Sequence, residues 1–318
     1  MKTLKYTVII AISILFCNVN AQEKKIKFNK GTLKICSSKN FQIEGYDGDE
    51  VIIKSLHEKR ESNLNFIVQG ARNFTTSKNS SKNVVVRGTT SLSKSSTDSI
   101  KTGNLVFFNN DSSRKIGLQK LGKKHENSDL GIFFTIEQNG DELVFKDQNQ
   151  RSFIMSSNEK YQVRIPNSIK LNWQTNACEN KKTSTNQYRF FSSNESSLSN
   201  FDGEVEISST LNNMKLVDVT GPVSINSIGG NVTIEFDKKT PKKLYSIYSN
   251  NGFIDITLPS NSDVLVDGEG NAIYSDIDFK VLEEKDDVGK QTMKLKLKNG
   301  KVKMKLNAGL GSIYLRKK

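Results

Sequence analysis

The sequence predicts an all-β protein made of short stacked strands joined by long polar loops. The main observation is a repeated unit in the C-terminal half: a glycine, then an apolar residue two positions later and another four positions later. Alternation with period two puts both apolar side chains on one face of a strand. A single unit cannot bury that face by itself, so the units must stack. The units begin at Gly203, Gly221, Gly230, Gly252, Gly300 and Gly311.

Three further features support this prediction. No segment after Gln22 shows a 3.6-residue apolar stripe of helical length. The unit glycines are expected to supply the positive φ that a tight turn needs. The four prolines fall at predicted turns or strand ends, where a missing N–H costs least. The apolar pairs are Val205 and Ile207, Val223 and Ile225, Val232 and Ile234, Ile254 and Ile256, Val302 and Met304, and Ile313 and Leu315.

The N-terminal half also alternates, but less regularly. Its composition shifts to Ser, Thr, Asn and Lys over 74–115, which predicts a polar insert of short strands and long loops or partial disorder. A second polar loop is predicted over 176–186. The predicted strands of this half are 26–28, 33–35, 41–43, 51–53, 84–86, 105–108, 132–136, 143–145 and 161–165.

The first 21 residues are typical of an export signal. Lys2 and Lys5 precede an apolar stretch over 8–16, and Val19-Asn20-Ala21 provides a small-residue cleavage site. The remaining 22–318 are expected to form a single domain with the insert at 74–115. No later apolar run approaches the roughly 20 residues that a membrane helix needs. The mature chain is therefore expected in the periplasm, on the cell surface or outside the cell.

The mature chain keeps a charge of +11, from 45 Lys and Arg against 34 Asp and Glu. This balance favours anionic partners, such as acidic polysaccharides or lipopolysaccharide, although the lysines can equally serve to keep the chain hydrated. Nucleic acid is not expected as a partner of an exported chain. The two remaining cysteines, Cys36 and Cys178, could form a disulfide in an oxidising compartment. A buried free thiol at Cys36 is the alternative.

The segment 293–306 alternates lysine with apolar residues on both sides of Asn299-Gly300, a dipeptide that favours a two-residue hairpin. In that hairpin the lysines would share one face, and like charges would lie opposite each other. In a solenoid the turn at Gly300 would instead separate the two runs, and alternation would still turn every lysine outward. Such a strip suits an anionic polymer. Lysines on an edge strand can instead prevent aggregation. The candidate contacts are Lys294, Lys296, Lys298, Lys301, Lys303 and Lys305.

Enzymatic chemistry has little support in the sequence. A polysaccharide-cleaving enzyme needs paired carboxylates, and among the outward positions of the six units only Glu206 and Asp255 are acidic. We therefore predict no catalytic, metal or cofactor site. Four other features each allow a binding hypothesis and a purely structural one. Asp47-Gly48-Asp49-Glu50 could bind calcium or form a turn, and Trp173 could stack on carbohydrate or pack in the core. His57 and His125 could bind zinc or lie on the surface, and Asp98-Ser99-Ile100 could be glycosylated or match that pattern by chance.

Four stretches carry a resemblance to a known family: 41–53, 219–225, 229–234 and 311–315. On these the chain resembles the exported bacterial proteins called putative adhesins, a domain of unknown function found in Bacteroidetes-like envelopes. The resemblance implies a right-handed β-solenoid or β-helix-like roll, and it supplies no catalytic residues. The insert at 74–115 departs from the compact members of the family.

Together these features predict an exported, non-catalytic binding or structural module of the cell envelope, adhesin-like, that contacts anionic glycans or envelope surfaces. The alternative is a partner-recognition or sensor-like domain that binds another envelope protein through its strand edges. A polysaccharide-cleaving β-helix enzyme is the third hypothesis.

Overall fold

The computed structural model describes residues 23–56, 127, 130–147, 159–175 and 195–318, together with the backbone of two further strands. The chain divides into two compact units. The smaller unit, Ser62–Lys124, is described only through the antiparallel strands β5 (Phe74–Lys78) and β6 (Val84–Gly88). The predicted export signal, the strand at 105–108 and the loop at 176–186 lie outside the described residues.

The larger unit contains two sheets and, in its described residues, no α-helix. The first sheet has ten strands, in the spatial order β1 (Glu23–Lys27), β4 (Glu50–Ser55), β9 (Lys160–Pro166), β3 (Asn40–Tyr46), β11 (Ser196–Ser199), β13 (Met214–Val217), β15 (Val232–Glu235), β17 (Ile254–Leu258), β23 (Ile313–Lys317) and β19 (Ile273–Ser275).

The second sheet has eleven strands. Their spatial order is β20 (Lys280–Asp287), β21 (Lys290–Leu297), β18 (Val264–Gly270), β22 (Val302–Asn307), β16 (Tyr245–Asn250), β14 (Val223–Ile228), β12 (Val205–Thr210), β10 (Lys170–Gln174), β2 (Thr32–Cys36), β8 (Glu142–Asp147) and β7 (Phe134–Asn139).

From β8 to β20, consecutive strands alternate between the two sheets. The chain passes from β12 in the second sheet to β13 in the first, returns to β14, and continues in the same way to β17. Equivalent strands pair in parallel and without a register shift, so that Val205 lies opposite Val223 and Val223 opposite Tyr245. The predicted all-β class and the stacking of the repeated units are confirmed. The solenoid winding and its right hand stay a prediction.

The stacking departs from chain order at both ends of the unit. At one end β9 lies between β3 and β4, and at the other β22 lies between β16 and β18. Antiparallel strands border these ends, which makes both sheets mixed.

The core lies between the inward faces of the two sheets. Eleven of the twelve predicted aliphatic side chains are buried, and Val302 is half-buried. Toward the N-terminal end the core becomes aromatic: Phe41 packs against Phe134, Tyr161 and Trp173 with ring centroids 5.6, 5.6 and 6.3 Å away. Burial of these large side chains fixes which face of each strand points inward.

The expected role of the unit glycines is wrong for five of the six. Only Gly300 has positive φ (73°). The others are required because neighbouring turns of chain approach too closely for a side chain. A β-carbon on Gly221 would lie 1.8 Å from the Gly203 carbonyl oxygen, and one on Gly311 would lie 2.0 Å from that of Gly252. Close backbone approach, rather than turn conformation, selects glycine at these positions.

A row of buried serines lies near the C-terminal ends of three neighbouring strands in the second sheet. Ser209, Ser227 and Ser249 lie opposite one another on β12, β14 and β16, and all are buried. The hydroxyls of Ser227 and Ser249 both donate to the carbonyl of Gly230, at 3.0 and 3.1 Å. These hydroxyls supply hydrogen-bond donors to a buried backbone carbonyl that lies in a turn, outside the hydrogen-bonded strands.

All four outer edges of the two sheets carry features that oppose further strand pairing. β1 bears lysines, β7 ends in Glu137-Gln138-Asn139, and β20 is fully exposed and rich in charge. β19 has only three residues, and the Ile273 N–H at its free edge donates to Gln291 Oε1 at 2.8 Å. Short or charged edges of this kind are how monomeric sheet proteins avoid aggregation.

Cys36 is disulfide-bonded, so a free thiol at this position is excluded. Cys178 lies outside the described residues, and the pairing of the two cysteines stays a prediction. Within the described part of the chain no helix is long and apolar enough to cross a membrane.

Candidate functional site on the lysine-bearing face of the second sheet

The predicted hairpin between the two lysine runs is wrong. β21 and β22 are not neighbours, because β18 lies between them and pairs with β21 antiparallel and with β22 in parallel. The turn signal itself is correct: Lys298 and Gly300 both have positive φ, 56° and 73°. A strand from earlier in the chain separates the two runs, so no lysine of one run lies opposite a lysine of the other.

The register places the lysines in two rows across the outer face of the sheet. The first row runs Lys280, Lys296, Leu265, Lys303, and the second runs Glu283, Lys294, Asp267, Lys305. We call this surface the lysine face. Inward residues on the same strands, such as Leu295 and Met304, are buried, which confirms that these lysines point outward.

The second row is balanced by acidic groups. Lys294 Nζ lies 3.0 Å from Glu283 Oε1, and this hydrogen bond raises the pKa of the exposed lysine. Asp267 lies between Lys294 and Lys305 in the register. The second row therefore presents alternating charge rather than a cationic strip.

The first row has no acidic member. Lys280, Lys296 and Lys303 form no ion pair with any residue that the structure describes. Because strands are about 4.8 Å apart, Lys296 and Lys303 are about 10 Å apart across Leu265. A β-carbon on Gly300 would lie 3.5 Å from Lys296 Cγ and 3.3 Å from Leu265 Cβ. The apolar stem of Lys296 therefore packs beside the turn while its ammonium group stays in water.

Lys298 and Lys301 border the face at the turn. Lys298 Nζ donates to the carbonyl of Asn261 at 2.9 Å. The backbone N–H of Lys301 donates to Asp263 Oδ1 at 2.9 Å, and this bond lowers the pKa of the aspartate. Lys301 itself forms no ion pair within 4.0 Å in the described residues, although the Asp263 carboxylate is near. Of the six predicted lysines, Lys296 and Lys303 are on the first row, which has no acidic member.

Sequence reasoning missed Lys280. Its place beside Lys296 depends on the antiparallel pairing of β20 with β21. The sequence does contain a pattern that predicts this pairing: Val288-Gly289 lies between two strand-like runs, as in a hairpin turn. Gly289 has the positive φ (75°) that such a turn favours.

Of the other candidate residues, those that the structure describes take part in core packing or in hydrogen bonds between strands and turns. Trp173 is fully buried and packs edge-on against Phe41, so the carbohydrate-stacking hypothesis for this side chain is wrong. Asp47 accepts a hydrogen bond from Asn167 Nδ2 at 2.9 Å, beside the turn after β3. His57, His125 and Asp98-Ser99-Ile100 lie outside the described residues.

The two acidic outward positions are far apart in the architecture. Glu206 is on β12 in the second sheet, and Asp255 is on β17 in the first. Glu206 lies near Asn172 Nδ2 at 3.1 Å, whereas Asp255 forms an ion pair with Arg316 at 2.9 Å. The described residues also contain no cluster of three or more side chains suited to a metal ion.

No family model matches the chain, and no curated protein matches it. A solved structure with detectable similarity is that of a putative cell adhesion protein from Clostridium sporogenes. It is 11% identical, covers 93% of this chain and 99% of its own, and superposes with a TM-score of 0.40. A likeness this weak carries no functional information.

Proposed function

We propose that the protein is an exported, non-catalytic, adhesin-like binding module of the cell envelope, whose lysine face contacts anionic glycans such as acidic polysaccharide or lipopolysaccharide. One observation carries the proposal: Lys280, Lys296 and Lys303 share a row without an acidic member. An extended polyanion can lie across such a row and meet one ammonium group after another. The charge of +11 on the mature chain acts in the same direction.

The proposal includes a right-handed solenoid exposed at the periplasmic or outer surface. Support comes from the alternation of consecutive strands between two sheets and their in-register parallel pairing. A stack of this kind gives a flat, rigid outer face on which side chains keep fixed spacing, as binding of a repetitive polymer requires.

The two competing hypotheses have less support. Partner recognition through strand edges is opposed by the charge on β20 and by the side-chain cap on β19. Polysaccharide cleavage would need two carboxylates on one surface, and Glu206 and Asp255 belong to different sheets.

The test is retention of the protein on immobilised polygalacturonic acid and on lipopolysaccharide over a salt series. Between about 0.01 M and about 1 M NaCl the Debye length falls from about 30 Å to about 3 Å, so electrostatic retention must fall steeply. The decisive variant is Lys296→Gln with Lys303→Gln. The matched control is Lys294→Gln with Lys305→Gln, which removes the same charge from the balanced row.

We expect the first variant to lose most of its low-salt retention and the control to keep most of it. Equal loss in both variants would mean that only net charge matters, and no defined site would remain. Absence of retention on both ligands at low salt would leave the lysines as protection against aggregation.

A further inference from the structure

A cluster of exposed aromatic rings lies on the outer face of the first sheet, away from the lysine face. Tyr274 and Tyr314 are stacked, with centroids 5.4 Å apart and planes inclined by 12°. Phe253 meets Tyr314 edge-on at 6.0 Å. Tyr274 is 55% exposed and Phe253 is 36% exposed. Leaving large rings in water is unfavourable, so this cluster calls for an explanation.

The stack follows from strand register. β19 pairs in parallel with β23 and sets Tyr274 directly opposite Tyr314. β19 is the last strand of its sheet, so no side chain of this sheet continues the row beyond Tyr274. The Tyr274 ring is therefore the exposed end of an ordered stack whose orientation is fixed by Tyr314 behind it.

Polar groups border the rings on the same face. Asp255 lies opposite Tyr314 in the register, and Arg316 is two residues farther along β23. Arg316 Nε donates to both carboxylate oxygens of Asp255, at 2.9 and 3.0 Å, and its guanidinium carbon lies 5.5 Å from the Tyr314 ring centroid. The two terminal NH2 groups of Arg316 donate no hydrogen bond to any residue that the structure describes.

The size of the cluster distinguishes between kinds of ligand. A fully covered aromatic side chain buries about 150–250 Å², so three partly exposed rings offer about 300 Å² of new contact. A stable protein interface needs about 800 Å² on each partner. The capped and very short edge of β19 gives a partner chain no strand to extend. The cluster suits a ligand of one or two ring units better than it suits a protein.

We propose that Tyr274 and Tyr314 bind a pyranose ring of a neutral polysaccharide. The C–H face of the sugar stacks on the outer face of the Tyr274 ring, which Tyr314 supports from behind. Arg316 and Asp255 lie on the other side of Tyr314, toward β17, where their ion pair and the guanidinium near the Tyr314 ring help to hold the stack in place. This site is independent of the lysine face, because it lies on the other sheet and uses stacking rather than charge.

The experiment measures retention of the purified protein on immobilised dextran, laminarin and mannan at about 1 M NaCl, where the Debye length of about 3 Å removes the contribution of surface lysines. Tyr274→Ala deletes the outer ring of the stack. Tyr274→Phe keeps the ring, and Tyr248→Ala removes an exposed tyrosine (43%) from the second sheet as a matched control.

We expect binding to at least one of the three glycans, weakened at least tenfold by Tyr274→Ala and retained by Tyr274→Phe and Tyr248→Ala. Comparison of thermal unfolding temperatures ensures that Tyr274→Ala is folded. Binding to none of the glycans, or equal binding by Tyr274→Ala and the parent, would overturn the proposal. A change of oligomeric state on Tyr274→Ala, measured by light scattering without glycan binding, would assign the cluster to a protein interface instead.

Discussion

The carbonyl oxygen of Gly230 lies 2.1 Å from the position that a β-carbon on Gly252 would occupy. The same relationship recurs one turn farther along the stack, between the Gly252 carbonyl and Gly311. Both carbonyls belong to backbone held by parallel pairing of β15, β17 and β23. The spacing of neighbouring turns at this corner therefore admits glycine alone.

Gly252→Ala should destabilise the fold by about 3 kcal/mol, because overpacking against a backbone that cannot move lies at the upper end of the usual range. Urea unfolding of the purified variant measures this loss. Gly140→Ala is the control: Gly140 has positive φ (57°) but open space around it, so it should lose only about 1 kcal/mol. If both substitutions cost the same, steric contact is not the reason for glycine at 252.

The two serines on the Gly230 carbonyl should show coupled effects. Ser227→Ala or Ser249→Ala alone leaves the other hydroxyl bound to the carbonyl, so each should lose about 1 kcal/mol or less. The double variant leaves the buried carbonyl without a hydroxyl donor and should lose more than the sum. A double-mutant cycle in urea tests this; strict additivity would contradict the shared role.

Stability should fall steeply above pH 10 because of two buried tyrosines. Burial raises the pKa of Tyr161 to about 12 and that of Tyr245 well above its usual value. Above pH 10 the unfolded chain loses these protons while the folded chain keeps them, so each tyrosine should lower the free energy of unfolding by about 1.4 kcal/mol per pH unit. The stabilising contribution is fully present below pH 10.

Urea unfolding at pH 9, 10 and 11 measures that slope. The matched variant, Tyr161→Phe with Tyr245→Phe, should have lower stability at pH 9, since Tyr245 donates to the Val219 carbonyl at 2.6 Å. Its slope between pH 10 and pH 11 should nevertheless be shallower by about 2 kcal/mol per pH unit, because tyrosines of the unfolded chain are only partly ionised near pH 10. Identical slopes would show that other groups, such as lysines, dominate at high pH.

Peptide mapping without reductant should link Cys36 to Cys178. Closing a loop of this length is expected to stabilise the fold by about 5 kcal/mol in the chain-entropy model. Reduction, or Cys178→Ser, should therefore lower the unfolding temperature markedly. Recovery of a Cys36 peptide linked to any other cysteine would refute the pairing.

Much of the strand content could be predicted from local sequence. Val205 and Ile207 alternate with outward residues, and the structure buries both. Asn299-Gly300 correctly predicted a turn with positive φ. These features depend on residues a few positions apart, which the sequence displays directly.

The composition of the lysine face could not be predicted in the same way. Lys296 and Lys303 were expected to oppose each other across a hairpin, but Leu265 separates them, and Lys280 joins the row from a strand on the far side. Which strand lies beside which is a long-range choice, made by how the buried faces of the whole stack fit together. Whether charges cancel or accumulate follows from that choice.

The sequence by itself determined the class of the fold, because period-two alternation assigns each side chain to the core or to solvent before any strand finds a neighbour. Tertiary structure alone decided why glycine is required at 252, which lysines lack an acidic neighbour, and that Tyr274 ends a stack of rings. Each of these depends on contacts between strands distant in the chain, and hydrogen-bonded pairing, not local preference, sets them.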